Sequence, residues 1–171
     1  MSAFADAMDR DGNRVALTGD FPFRTKRTIT FAGATTNAWG DDGGTLDGGA
    51  IYTVTGTVLV KMFAVCQTLL DSDGAATVAV GISGATTIFL PTETATQIDA
   101  DQLWINNAAN AAYAVWGEEA AAADNFPEYV LNGQDIILTV AGGANVTAGV
   151  LDFIILWKPL SDNGSVVATT T

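Results

Sequence analysis

The feature that most constrains the fold of this chain is residues 135–160, which read DIILTVAGGANVTAGVLDFIILWKPL. They hold two short apolar runs, 135–141 and 150–158, separated by a turn rich in Gly, Ala and Asn. Short runs rich in Ile, Val, Phe and Trp are typical of strands, and the turn predicts that these two pair antiparallel. Both alternating sets of side chains in the second run are largely apolar, which predicts a strand deep in a sheet covered on both sides. Pro159 cannot donate to the ladder and should end it.

Similar short runs recur through the rest of the chain, while Lys, Glu and Arg are scarce. Residues 51–70 give the longest strand signal, which Gly56 divides into 51–55 and 57–66. The turn at residues 71–74 predicts a hairpin into the next strand. Further strands are predicted at residues 27–31, 76–82, 86–90, 113–117 and 129–131, and a single helical turn at 118–124. The sequence therefore predicts an all-β, antiparallel β-sandwich or jelly roll over residues 27–161. An extended N-terminal arm (1–26) precedes this domain, and a polar C-terminal tail (162–171) follows it.

Charge is distributed unevenly along the chain. Five of the seven basic residues lie in the first 27 residues, beside four acidic ones, so that segment carries +1. The remainder has two basic and fifteen acidic residues and carries −13, which gives the net charge of −12. Because phosphate contacts need clustered Lys and Arg, an acidic body argues against nucleic-acid binding.

The predicted arm contains one compact group of aromatic and cationic side chains. Such a group could anchor in a partner's groove, or it could cover the edge of the chain's own core. The candidate residues for binding a partner are Phe21, Phe23, Arg24, Lys26 and Arg27.

The residue inventory gives little support for catalysis. The chain has no His, which removes the commonest general base and metal ligand. Without a His partner, Cys66 is expected to be a buried small apolar side chain and not a nucleophile. No Gly-rich loop is followed by Lys-Ser or Lys-Thr, so a phosphate cradle is excluded. We therefore predict no catalytic, cofactor-binding or metal-binding residues, and no enzyme activity.

Several residues leave alternatives open. Two loops could bind Ca²⁺, although turn chemistry explains Asp and Gly there without an ion. Those loops contain Asp41, Asp42 and Asp47, and Asp71 and Asp73. A glycosidase carboxylate pair could come from Asp99, Asp101, Glu118 and Glu119. Aromatic rings could stack on sugar, or pack in a core or an oligomer interface, and they are Trp39, Trp104, Tyr113 and Trp116.

No signal peptide and no membrane-spanning apolar stretch is visible, and a single Cys cannot form an intrachain disulfide. We expect synthesis in a bacterial-type cytoplasm without export.

About two thirds of the chain resembles small β-rich virion proteins of tailed bacteriophages that decorate or cement the capsid. The resemblance lies in GTVLVKMFAVCQTLL (56–70), ATVAVGIS (76–83), TATQIDADQLW (94–104), NGQDIILTV (132–140) and NVTAGVLDFIILWKPLS (145–161). It implies a jelly roll or sandwich, often a trimer, without a cofactor. It also implies the major capsid protein and further copies of the chain as partners, and a location on the capsid surface of the virion. Residues 1–27 lie outside the resemblance.

These observations predict a capsid decoration protein whose arm docks on the shell or on a neighbouring protomer. Apolar surface near Trp39, Trp104 and Trp116 would join protomers. The alternatives are a tail or head-fibre component, and then a carbohydrate-binding jelly roll.

Overall fold

The computed structural model describes residues 23–33, 35, 37–106, 108–109 and 127–170. This part of the chain forms strands and one short 3₁₀ turn, Ala95–Gln97, and it contains no α-helix. The strands are β1 (Phe23–Thr30), β2 (Gly49–Thr55), β3 (Thr57–Ser72), β4 (Thr77–Ile82), β5 (Ala85–Thr94), β6 (Leu103–Ile105), β7 (Ala108–Ala109), β8 (Tyr129–Asn132), β9 (Ile136–Ala141), β10 (Val146–Pro159) and β11 (Ser165–Ala168).

All the pairings are antiparallel, and they build two sheets. Sheet 1 has the order β1-β10-β3-β6-β7, and β8 pairs with another part of β3. Sheet 2 has the order β11-β2-β9-β4-β5. The two sheets form a sandwich-like arrangement, so the prediction of an all-β antiparallel sandwich is confirmed. The jelly-roll alternative stays a prediction.

One apolar core lies between the sheets. In β3 the alternation predicted from the sequence is confirmed, because every second residue is buried: Val58, Val60, Met62, Ala64 and Cys66. Leu151, Phe153 and Ile155 of β10 are fully buried beside them. The hydroxyl of Tyr52 in sheet 2 donates to the carbonyl oxygen of Phe153 in sheet 1 at 2.7 Å. Since a buried hydroxyl needs a partner, this bond fixes one sheet over the other.

The pairing predicted for the organising stretch is wrong. Residues 135–141 and 150–158 lie in β9 and β10, which belong to different sheets. The hairpin predicted at 71–74 is also wrong, because β3 lies in sheet 1 and β4 in sheet 2. Both turns carry the chain across the core. In a sandwich, two consecutive apolar strands can bury their side chains equally well from opposite sheets.

Gly56 divides the longest strand signal, as predicted, but the two parts cross between sheets. Its φ of 61° favours glycine, and a Cβ there would lie 2.4 Å from Oδ1 of Asn163. The chain therefore leaves β2 in sheet 2 and enters β3 in sheet 1 through a position whose backbone conformation favours glycine.

Several boundaries differ from the sequence prediction. β3 runs to Ser72 and not to residue 66, and β10 begins at Val146 and not at residue 150. β1 begins at Phe23 and not at residue 27, because residues 23–26 extend its pairing with β10. β5 continues through Pro91, since β5 is an edge strand with an irregular register beside that residue. Ser165–Ala168 of the predicted tail forms β11, which pairs with β2. The strand predicted at 113–117 and the helical turn at 118–124 lie outside the described residues.

Candidate interaction surface

The outer face of sheet 1, which points away from the core, holds four of the five basic residues that the structure describes. Arg24 and Lys26 alternate with inward-facing residues along β1, and Lys61 and Lys158 lie on the same face in β3 and β10. We call these four residues, with the apolar side chains among them, the basic face. Arg24, Leu156 and Lys61 stand in one row across three strands, and Lys26, Ile154 and Phe63 stand in the next.

Apolar side chains fill the space between these cations. Leu156 is half-buried and Ile154 is 7% exposed, while Val130 at the margin is 61% exposed. Val130 stands opposite Leu59, which stands opposite Lys158. The basic face therefore combines cations with exposed apolar area, the combination found at many protein interfaces.

Two acidic residues balance part of this charge. Asp152 lies on the same face of β10, in the row next to Lys26, and is 5% exposed. Its Oδ2 is 2.6 Å from Nζ of Lys26, and its Oδ1 accepts a hydrogen bond from the Thr28 hydroxyl at 2.5 Å. Glu128 pairs with Lys61, with 2.8 Å between Oε1 and Nζ. The described residues of this face therefore carry four positive and two negative charges, on a chain whose net charge is −12.

The charge on Asp152 is held by its neighbours. Burial alone would raise the pKa of Asp152, but hydrogen bonds from Lys26 and Thr28 and the charges of Lys26 and Arg24 outweigh it. The pKa therefore lies below its ordinary value. The carboxylate stays ionised and fixes the ammonium group of Lys26 against the sheet.

The alternate residues of β1, which include Phe23, Thr25 and Arg27, point toward the core. Phe23 stacks on Trp157 with 4.6 Å between ring centroids, and the Trp157 indole nitrogen donates to the Thr25 hydroxyl at 2.9 Å. Arg27 is 7% exposed, its guanidinium lies 5.4 Å from the Trp39 ring centroid, and it donates to the Thr169 hydroxyl. Burial lowers the pKa of Arg27.

Of the five candidate binding residues, only Arg24 and Lys26 present charge on the outer face. Phe23 and Arg27 instead help to close the end of the sandwich, which is the alternative use considered for this segment. Phe21 lies outside the described residues.

The tryptophans predicted at an oligomer interface occupy a different place. Trp104 is completely buried and packs beside Phe153, and Trp39 is 8% exposed beneath Arg27. Their apolar area is used within the core, so neither ring is offered to a neighbouring protomer or to a sugar. This corrects the sequence interpretation of both residues. Trp116 and Tyr113 lie outside the described residues.

The acidic loops meet at one end of the sandwich, where their carboxylates hold backbone groups. Oδ2 of Asp42 accepts from the Gly143 amide at 2.6 Å, and Oδ1 of Asp47 accepts from the Val140 amide at 2.8 Å. Asp73 accepts from both the backbone and the side-chain amide of Asn145, at 2.6 and 3.0 Å. Asp41, Asp42, Asp73 and Asn145 help to line a concavity of about 570 Å³. We call residues 41–48, 71–76 and 141–145 the acidic loop end.

These carboxylates therefore have a clear structural use. In the described part of the chain, no group of three or more carboxylate or thiol side chains is arranged to hold a metal ion. Asp99 is engaged locally, because its carboxylate accepts from the Gln102 side chain at 3.2 Å. Glu118 and Glu119 of the candidate glycosidase pair lie outside the described residues.

Cys66 lies on the inner face of β3 and is 1% exposed. Its thiol donates to the carbonyl oxygen of Thr68 at 3.2 Å, and burial raises its pKa to about 11. Because the reactive form of cysteine is the thiolate, this environment keeps the side chain inert at neutral pH.

No protein-family model, curated protein or solved structure matches this chain. Among the described residues, no helix has the length and the apolarity needed to cross a membrane.

The sequence carries part of the signal for the basic face. The alternation in β3 and β10 already placed Lys61 and Lys158 on the outward sets, and Arg24 and Lys26 are two residues apart. What was missing was the register, which aligns these strands so that the four cations share one face.

Proposed function

We propose that this chain is a non-enzymatic structural protein of a bacteriophage virion, which decorates the capsid and cements the shell of the major capsid protein. One observation carries the proposal: an acidic strand-built sandwich concentrates its cations and part of its exposed apolar area on the outer face of one sheet. The carboxylates that accept hydrogen bonds in the described loops stabilise the chain's own fold. Such a molecule is suited to adhesion.

The physical mechanism is mass action. A protein that binds the assembled shell and not the free subunit stabilises the shell in proportion to its occupancy. On a shell with many equivalent sites, modest contacts at each site add up. The contact to the shell is assigned to residues 1–22, which precede the closed end formed by Phe23, Trp157 and Arg27.

Co-sedimentation with empty shells of the cognate major capsid protein tests this proposal. The full-length chain should pellet with assembled shells in a saturable manner, should not bind unassembled subunits, and should raise the melting temperature of the shells. The matched variant lacks residues 1–22 and retains the sandwich. It should stay in the supernatant. A full-length chain that remains in the supernatant would refute shell binding, and full occupancy by the truncated chain would refute the role of residues 1–22.

A further inference from the structure

We propose that the basic face of one protomer docks on the acidic loop end of a second copy of this chain. This head-to-tail contact goes beyond the proposed attachment to a shell and stands without it. The contact joins two surfaces of the chain that face different directions and carry opposite charge.

The two surfaces lie at opposite ends of the longest strand. Lys61 is near the beginning of β3, in one row with Arg24, whereas Asp71 is near its end. At about 3.3 Å per residue, the ten steps from Lys61 to Asp71 span roughly 30 Å. The four cations therefore lie toward one end of the strands, and the acidic loops lie at the other.

The acidic loop end is strongly negative. Its three segments contain five Asp residues and no basic residue. Asp71 and Asp73 are exposed, and Leu69, beside them in sequence, is 48% exposed. This end therefore offers carboxylates next to an apolar side chain, just as the basic face offers cations next to Val130.

Charge decides which arrangement of two copies is favourable. Two basic faces brought together, as in a two-fold symmetric dimer, would place like charges opposite each other, which disfavours that contact. A basic face against an acidic loop end places unlike charges opposite each other. Both protomers carry −12, but at physiological salt the Debye length is about 8 Å, so facing charges outweigh the distant ones. The favoured contact is therefore heterologous, which builds a ring when its rotation closes and a chain when it does not.

Sedimentation velocity of the full-length protein tests the contact directly. We expect species heavier than the 17.7 kDa monomer at low salt, and their dissociation as salt is raised. Replacing Arg24→Gln and Lys158→Gln together should raise the dissociation constant by roughly tenfold or more. The matched control, Thr53→Glu with Thr55→Glu on exposed positions of β2, changes the net charge by the same amount and should leave the dissociation constant unchanged.

A charge exchange between the two surfaces makes the test specific. Arg24→Glu with Lys158→Glu should be monomeric alone, and so should Asp41→Lys with Asp71→Lys. An equimolar mixture of these two variants should regain heavy species, because the reversed surfaces are again complementary. Near-UV circular dichroism verifies that each variant is folded.

Three results would overturn the proposal. One is a wild-type protein that stays at 17.7 kDa at all salt concentrations. Another is an equal effect of the Gln and control variants on the dissociation constant. The third is a Gln variant that has a lower melting temperature than the wild type but the same sedimenting mass. That result would mean that the basic face contacts a segment of the same chain and not a second copy. Pelleting with shells is measured separately, so failure of the head-to-tail contact and failure of shell attachment are distinguishable.

Discussion

The outer faces of the two sheets are built by the same alternation of side chains but have different chemistry. Sheet 1 contains every described basic residue, and four of these five point outward from it. In sheet 2, strands β2, β4, β9 and β11 contain no charged residue, and Glu93 is the one charge in β5. The outer side of sheet 2 presents mainly small or uncharged side chains, such as the exposed Thr53 and Thr55.

The difference shows which surface can select a partner. The apolar inner faces of both sheets build the fold, and neither outer face is needed for that core. Only sheet 1 adds a cluster of charges that attracts unlike surfaces and repels like ones, and charge is what gives an interface its orientation. Sheet 2 covers the other side of the core, and its outer face has no cluster of charges that would orient a partner.

The largest expected effect comes from removing the strand that supplies Arg24 and Lys26. Deleting residues 1–26 removes half of β1, with the Phe23–Trp157 stack and the Lys26–Asp152 ion pair. We expect a loss of about 3 kcal/mol or more, a decrease in melting temperature of roughly 10 °C for a chain of this size. Deleting residues 1–22 leaves β1 whole and should change the melting temperature little. Thermal unfolding by calorimetry compares the two, and identical melting temperatures would instead support the separate arm of residues 1–26 predicted from the sequence.

The next-largest effect on stability is expected from replacing one polar side chain on each outer face. Asp152 makes an ion pair and a hydrogen bond, whereas the buried hydroxyl of Thr139 in β9 has no hydrogen-bond partner among the described residues. Asp152→Ala should lower the free energy of unfolding by about 1–3 kcal/mol. Thr139→Val keeps the shape and removes an unsatisfied hydroxyl, so it should be neutral or stabilising by up to about 1 kcal/mol. Urea unfolding measures both, and a larger loss for Thr139→Val would reverse the contrast.

The pH dependence of stability tests whether the ionised form of Asp152 stabilises the fold. Because its folded-state pKa lies below the ordinary value of 3.8, its stabilisation is fully present above that value and is lost as the pH falls through the folded pKa. The stability difference between wild type and Asp152→Asn should therefore stay constant from neutral pH to about pH 5 and shrink below about pH 4. Urea unfolding over this range checks it. A difference that grows on acidification would mean that the folded state raises this pKa.

The smallest effect is expected at the margin of the basic face. The Lys61–Glu128 pair is partly exposed, with side chains 25% and 43% accessible, so salt and solvent screen it. A double-mutant cycle with Lys61→Met and Glu128→Gln should give a coupling energy of about 0.5 kcal/mol or less. A coupling above about 2 kcal/mol would show that this pair is a structural part of sheet 1.

The sequence predicted the fold class and the burial pattern because alternation with period two determines which side of a strand is apolar. It did not predict which strands share a sheet. Residues 135–141 and 150–158 bury equally apolar sides, and the turn between them is held by contacts distant in sequence, such as Asp42 to Gly143 and Asp73 to Asn145. These contacts form only when three loops meet, so the neighbouring residues carry no signal of them.

The charge distribution along the sequence did not predict the basic face, for a related reason. It separated a cationic beginning from an acidic body, but β1 turns Arg24 and Lys26 outward and Arg27 inward. Lys61 and Lys158, isolated in sequence, join the outward pair through the register of three strands. Trp39 and Trp104 were assigned to an interface because the sequence around an aromatic side chain does not show whether the ring faces the core.

The central claim is that the outer face of sheet 1 is the surface through which copies of this chain meet, and amine footprinting tests it most directly. The chain has three lysines, Lys26, Lys61 and Lys158, and all of them lie on that face. Acetylation rates are measured by mass spectrometry for the folded monomer at high salt and for the heavy species at low salt. The account predicts that labelling of the three lysines is several-fold slower in the heavy species. Unchanged labelling of all three in the heavy species would contradict it.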